Sequence, residues 1–117
     1  MSGYRHLDVA QVGNITVVRF RDRKIIEDIN IQEIGQELTR LVEVDNHSKL
    51  LLNFASVEFL SSAALGKLIT LDKKLKAHSG TLKLSNIRPE IYEVFAITKL
   101  NRLFDIKNDE TEALVAF

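Results

Sequence analysis

Short strand-like runs separated by longer stretches of helical periodicity constrain this chain more than any other feature. "ITVVRF" (Ile15 to Phe20) is β-branched and short, and reads as a strand. "KLLLNF" (Lys49 to Phe54) is a nearly continuous apolar run, the pattern of a strand covered on both faces. "TLKLS" (Thr81 to Ser85) alternates, and "RLFDI" reads as a last short strand. Helical segments lie between them. Ile31, Ile34, Leu38, Leu41 and Val42 recur at helical spacing up to about "VDNHS", and Asn30 with Glu33 resembles a helix-capping pair. A second helix follows Ser61-Ser62 and runs to about His78, with Gly80 suited to a left-handed residue after its last turn. Pro89 fits the first position of a helix over "PEIYEVFAI", and the acids of "DETEALVAF" suit the positive end of a terminal helix. At the start, Tyr4 to Gln11 is a weak strand that Gly13-Asn14 turns into a hairpin with Ile15 to Phe20, at one edge of the sheet. The order β-β-α-β-α-β-α-β-α demands right-handed crossovers between parallel strands, an α/β architecture.

The totals exclude several functions. The 117 residues suit one domain, 1–117, and a composition 45% hydrophobic and 27% charged suits a packed core. Sixteen basic and sixteen acidic residues cancel, which argues against a nucleic-acid binder. There is no cysteine, so neither disulfides nor thiolate metal sites are available. The first residues lack the apolar segment of a signal peptide, and no run reaches membrane-span length; a soluble cytoplasmic protein is expected. His6, His47 and His78 are scattered without ligand spacing. Gly66-Lys67 lacks the rest of a phosphate-binding loop, and Ser62 lacks the glycines of a nucleophile elbow. No enzyme, metal or cofactor is expected.

The serine pair asks for its own account, since one serine suffices to cap a helix. At ~100° per residue, Ala64, Leu68, Leu71 and Leu75 form a core-facing stripe with Leu65 on its flank. Lys67, Thr70, Lys73 and Lys74 lie opposite. Ser61 is placed to act as N-cap. Ser62 points outward, about 140° from the stripe centre, in a row with Gly66, Ile69 and Lys73. Either both serines are capping residues and Ile69 is a stray exposed apolar side chain, or Ser62 is modified and its row touches a partner. A phosphate on Ser62 would meet the free N–H groups of the helix start and add about −1.5 to −2 charges to a contact surface.

"NFASVEFLSSAALGKLI" resembles the serine-bearing segment of the anti-sigma factor antagonists, members of the STAS domain family, and "LSNIRPEIYEVFAITKLNRLFDI" resembles that family's strand-helix-strand ending. The resemblance covers nearly the whole chain. It implies a mixed, mostly parallel sheet with helices largely on one side. It also implies a binding switch: an anti-sigma factor that is itself a serine/threonine protein kinase phosphorylates Ser62, the unmodified antagonist binds that kinase and frees the sigma factor, and phosphorylation releases it. Ser61, Ser62, Gly66, Ile69 and Lys73 become the expected partner contacts, with weak self-association alongside. No nucleic acid and no membrane span enter. Departures from the family pattern are Ser61 where aspartate is frequent, Asn53 for the aspartate ending the preceding strand, Ala64 for a glycine, and Thr98-Lys99-Leu100 for "T-G-L". Rival roles for such a domain are an unphosphorylated scaffold or soluble subunit of a transport complex, and a nucleotide- or lipid-binding module.

Overall fold

The computed structural model describes residues 4–117. Strands β1 (Leu7–Val12) and β2 (Ile15–Phe20) form the expected antiparallel hairpin, with Val12 opposite Ile15. Gly13 supplies the positive φ of +63° that its tight turn needs. β2 then pairs in parallel with β4 (Lys49–Asn53), β4 with β6 (Thr81–Ser85), and β6 with β7 (Asp105–Lys107). The resulting five-stranded sheet has the order β1-β2-β4-β6-β7. Two further strands, β3 (Lys24–Ile25) and β5 (Phe59–Leu60), pair in parallel as a separate two-stranded sheet. Sequence periodicity did not predict them, because two residues carry no period.

The helices are α1 (Asp28–Glu43), α2 (Ser62–Ala77), α3 (Pro89–Ile97) and α4 (Glu110–Ala116), with a 3-10 turn at Leu100–Arg102. The apolar side chains expected on α1 are its buried ones: Ile31, Ile34, Leu38, Leu41 and Val42. Its start differs from expectation. Glu27, not Asn30, is the N-cap residue, without a side-chain cap, and Asn30 lies inside the helix. The end of β3, fixed by its pairing with β5, sets where the chain turns into the helix. After α2 the left-handed residue is Ser79, at φ 59°, not Gly80. Gly80 is needed for close approach instead: a Cβ there would stand 2.6 Å from the Ser48 carbonyl oxygen.

Strand alternation divides the core between two faces. Val18, Phe20, Leu50, Leu52, Leu82 and Leu84 pack with the apolar stripes of α1, α2 and α3. Ile15, Val17 and Leu51 turn the other way, toward Ala113, Leu114 and Phe117 at the end of the chain. Leu50, Leu51 and Leu52 are completely buried, worth about 1.5–3 kcal/mol each relative to exposure. Three helices thus cover one face and a single short helix the other, as the expected mixed sheet requires. Asp109 caps α4 by accepting a hydrogen bond from the Glu112 amide at 2.8 Å.

Candidate functional site: the amino end of helix α2

β5 delivers the chain to α2. The Ser61 amide donates to the Ile25 carbonyl at 3.0 Å, so the two-stranded sheet fixes where the helix begins. Ser61 is extended (φ −84°, ψ 161°), and its Oγ accepts from the Ala64 amide at 3.4 Å. It is the N-cap, as its position in the sequence predicts. Ser62 is the first helical residue. It is exposed, and its hydroxyl takes no hydrogen-bond partner among the described residues.

The rest of the row is placed unevenly. Gly66 is exposed and faces open space, since a Cβ there would meet nothing within 4 Å. Lys73 is exposed too. Ile69 corrects its predicted exposure: it is half-buried and packs against the core. Leu65 and the unforeseen buried residue Asp72 explain this, because they extend the buried arc of α2 along the flank that leads to Ile69. The Asp72 carboxylate is paired with Lys76 Nζ at 2.9 Å, one turn on. The opposite flank packs on α1, where Lys67 Nζ donates to Gln32 Oε1 at 3.1 Å and Gly35 leaves room for the lysine stem.

An apolar collar escaped the sequence reading. Ile26, Ile29 and Phe59 are all at least half exposed, at 50, 65 and 52%. Ile26 and Ile29 lie on the path from β3 into α1, and Phe59 lies in β5, three residues before Ser62. The parallel pairing of β3 with β5 brings both helix starts to one end of the molecule. The only available signal was "KIIEDINI", with more isoleucines than one face of α1 can bury. Lys24 Nζ stands 5.5 Å from the Phe59 ring centre. Arg23 clamps the approach to both strands. Its carbonyl accepts from the amides of Glu58 (2.8 Å) and Phe59 (3.1 Å), and its guanidinium holds the Glu58 carboxylate by two bonds of 2.7 and 3.2 Å. The hydrogen bond from Arg23 holds the Glu58 carboxyl below the usual carboxylate range. Behind the site, Arg88 donates to the Ala55 carbonyl at 3.2 Å and ties the loop after β6 to the loop after β4.

Residues 6–113 match the family model described as the STAS domain. The chain belongs to the STAS domain family. A Bordetella bronchiseptica protein, BtrV, provisionally named an anti-sigma factor antagonist, is 26% identical over 93 residues, which are 80% of this chain and 79% of BtrV. Among solved structures, an anti-sigma-factor antagonist (STAS) domain protein from Planctomyces limnophilus superposes with a TM-score of 0.84 at 21% identity, covering 94% of this chain and 96% of that one. The Bacillus cell fate determinant SpoIIAA in its phosphorylated form superposes with a TM-score of 0.70 at 19% identity, covering 94% and 97%.

Two departures of this STAS domain from the family pattern now have physical accounts. Asn53, at the end of β4, accepts from the Ala55 amide at 2.8 Å and donates through Nδ2 to Glu110 Oε1 at 3.0 Å. Glu110 also pairs with Arg19 at 2.9 Å. An aspartate at position 53 could not donate, and would set two carboxylates together. Lys99 holds a left-handed conformation, φ 62° and ψ 16°, where the family pattern has glycine. Among the described residues no cluster of His, Cys, Asp or Glu is disposed to hold a metal ion, and no helix is long and apolar enough to cross a membrane.

Proposed function

We propose that this STAS domain is a cytoplasmic anti-sigma factor antagonist, a binding switch with no catalysis of its own. Its partner is an anti-sigma factor that is also a serine kinase. The unmodified chain binds that partner through the amino end of α2 and the apolar collar beside it. The kinase transfers the terminal phosphoryl group of ATP to Ser62 Oγ; the hydroxyl proton leaves and ADP is released.

The observation that carries this reading is the state of Ser62. It is an exposed hydroxyl with no hydrogen-bond partner among the described residues, at the first helical position, while its neighbour Ser61 is engaged as the cap. Phe59, three residues before it, and Ile26 and Ile29 on the segment that follows the paired strand β3, are exposed apolar side chains. A phosphate placed there puts about −1.5 to −2 charges beside surface that must be desolvated for binding. Gly66, with nothing above it, lets a partner approach the helix backbone, and Lys73 stands at the rim. Ile69 contributes the exposed part of its side chain. The names of BtrV and of the Planctomyces protein point the same way.

Phosphosite mapping of the chain isolated from its native cells tests the reading, together with recovery of its co-purifying partner by wild type and Ser62→Asp. Phosphate is expected on Ser62, and the partner only with unmodified chain. Phosphate on Ser61 alone, or partner recovery indifferent to Ser62→Asp, would sink it.

A further inference from the structure

His6 lies just before β1, nine-tenths buried, and its ring is held on both sides. Nδ1 is 2.9 Å from Asp22 Oδ2, and Nε2 is 2.8 Å from Glu33 Oε1. Its backbone is bound as well: Glu37 accepts from the amides of Arg5 (3.0 Å) and His6 (3.1 Å), and the Arg21 amide donates to the His6 carbonyl at 2.9 Å. The charges facing the ring are therefore Asp22 on the link after β2, and Glu33 and Glu37 on α1. The exposed Arg5 guanidinium stands 3.6 Å from Glu33.

A neutral imidazole carries one N–H. It can donate to only one of two flanking carboxylates and must turn a lone pair on the other. Two carboxylates on opposite ring nitrogens therefore select the imidazolium. Burial works against that charge, but the hydrogen bonds to Glu33 and Asp22, with the fields of Asp22 and Glu37, outweigh it and raise the ring above its ordinary value of 6.5. The bond to His6 in turn holds the Glu33 carboxyl below the usual range.

Both carboxylates sit on segments that build the collar. Asp22 is two residues before β3, whose Ile25 carbonyl receives the Ser61 amide. Glu33 is on α1, one turn beyond Ile29. We propose that His6 is a positioning residue for the partner face: as an imidazolium it ties residues 22–27 to the first turns of α1, and on losing one ring proton it releases β3 and the Ile26, Ile29 and Phe59 collar around Ser62. The effect on a partner rests on the function proposed above; the tie does not. The folded ring binds its second proton more tightly than the unfolded ring, so the tie is complete below about pH 6.5 and is lost as pH rises through the higher folded value.

Two measurements on the full chain test this without a partner: a titration of the imidazole nitrogens by NMR, and amide hydrogen exchange corrected for intrinsic rates. Both His6 nitrogens are expected to be protonated at about pH 6, with titration above the ordinary value of about 6.5. Protection of the Ser61 and Phe59 amides should fall as the ring titrates, by at most about tenfold per unit of raised pKa, while the Leu51 amide stays protected. His6→Gln keeps a donor but no charge, and should show the loosened face at every pH without a step. A wild-type ring titrating at or below the ordinary value, or Ser61 protection flat across that titration, overturns the proposal even if His6→Gln does not fold. A flat profile with phosphate on Ser62 overturns the tie alone; a clear step with no phosphate on Ser62 overturns the function alone.

Discussion

The mixed five-stranded sheet and the two-stranded parallel β3/β5 pair are both β-structure, yet different forces hold them. The large sheet rests on side chains that leave water entirely: Leu50, Leu51 and Leu52 are completely buried, and a chain of aromatic contacts runs from Phe20 through Phe54 and Phe95 to Phe104, at 4.9, 6.4 and 6.0 Å between ring centres. The small pair buries Ile25, half-buries Leu60 and exposes Lys24 and Phe59. It depends on backbone bonds to the Arg23 and Ile25 carbonyls, the Arg23–Glu58 pair and the tie through His6. Burial is non-directional and indifferent to charge state, whereas polar ties respond to protonation and to added charge. The adjustable pair is the one that sets the start of α2 and Ser62.

Substitutions test this contrast. The largest effect should come from the large sheet. Leu51→Ala is expected to cost about 2–5 kcal/mol in chemical denaturation, with amide protection lost across the whole fold. Asn53→Asp comes next. At neutral pH it leaves two carboxylates in contact, and about 1–3 kcal/mol of destabilisation is expected. The sign with pH is diagnostic: one of the two carboxyls acquires a raised folded pKa, so the loss should shrink as pH falls through that value, and a loss independent of pH would argue against the Glu110 contact. Ser61→Ala, which removes the cap of α2, should cost about 0.5–1 kcal/mol, given the long 3.4 Å bond, and Ser62→Ala should cost less. If Ser62→Ala proves the more damaging, the two serines have exchanged roles. Lys99→Gly should raise the melting temperature slightly, by relieving a left-handed lysine at a gain below about 1 kcal/mol. Ile29→Ser should move the melt least, within about 0.5 kcal/mol, while reducing partner recovery. A melt shifted as far as that of Leu51→Ala would place Ile29 in the core and dissolve the distinction between the two regions.

The candidate site was legible only in part. Ser61 as cap and Ser62 as an outward hydroxyl follow from the first turn of one helix, so periodicity and capping chemistry suffice to place them. Ile69 does not follow, because its burial depends on how far the core spreads along the Leu65 and Asp72 flank. The collar was invisible because Phe59 and Ile26 gain a common surface only when two-residue strands pair.

The division has a physical reason. Residues within a turn or a strand of one another set propensity, amphipathic phase and capping, and these local rules suffice for the large strands, the buried stripe of α1, Pro89 at the start of α3 and the acidic start of α4. Tertiary structure decided what distant segments make of each other. It set the start of α1 at Asp28 and made Ser79 the left-handed residue. It also brought His6 to Asp22 and Glu33 across separations of 16 and 27 residues, and Arg19 to Glu110 across 91. No local rule of side-chain chemistry reaches over such separations. Those contacts rest on the packing of the leucine-rich strands, which holds distant segments of the chain side by side.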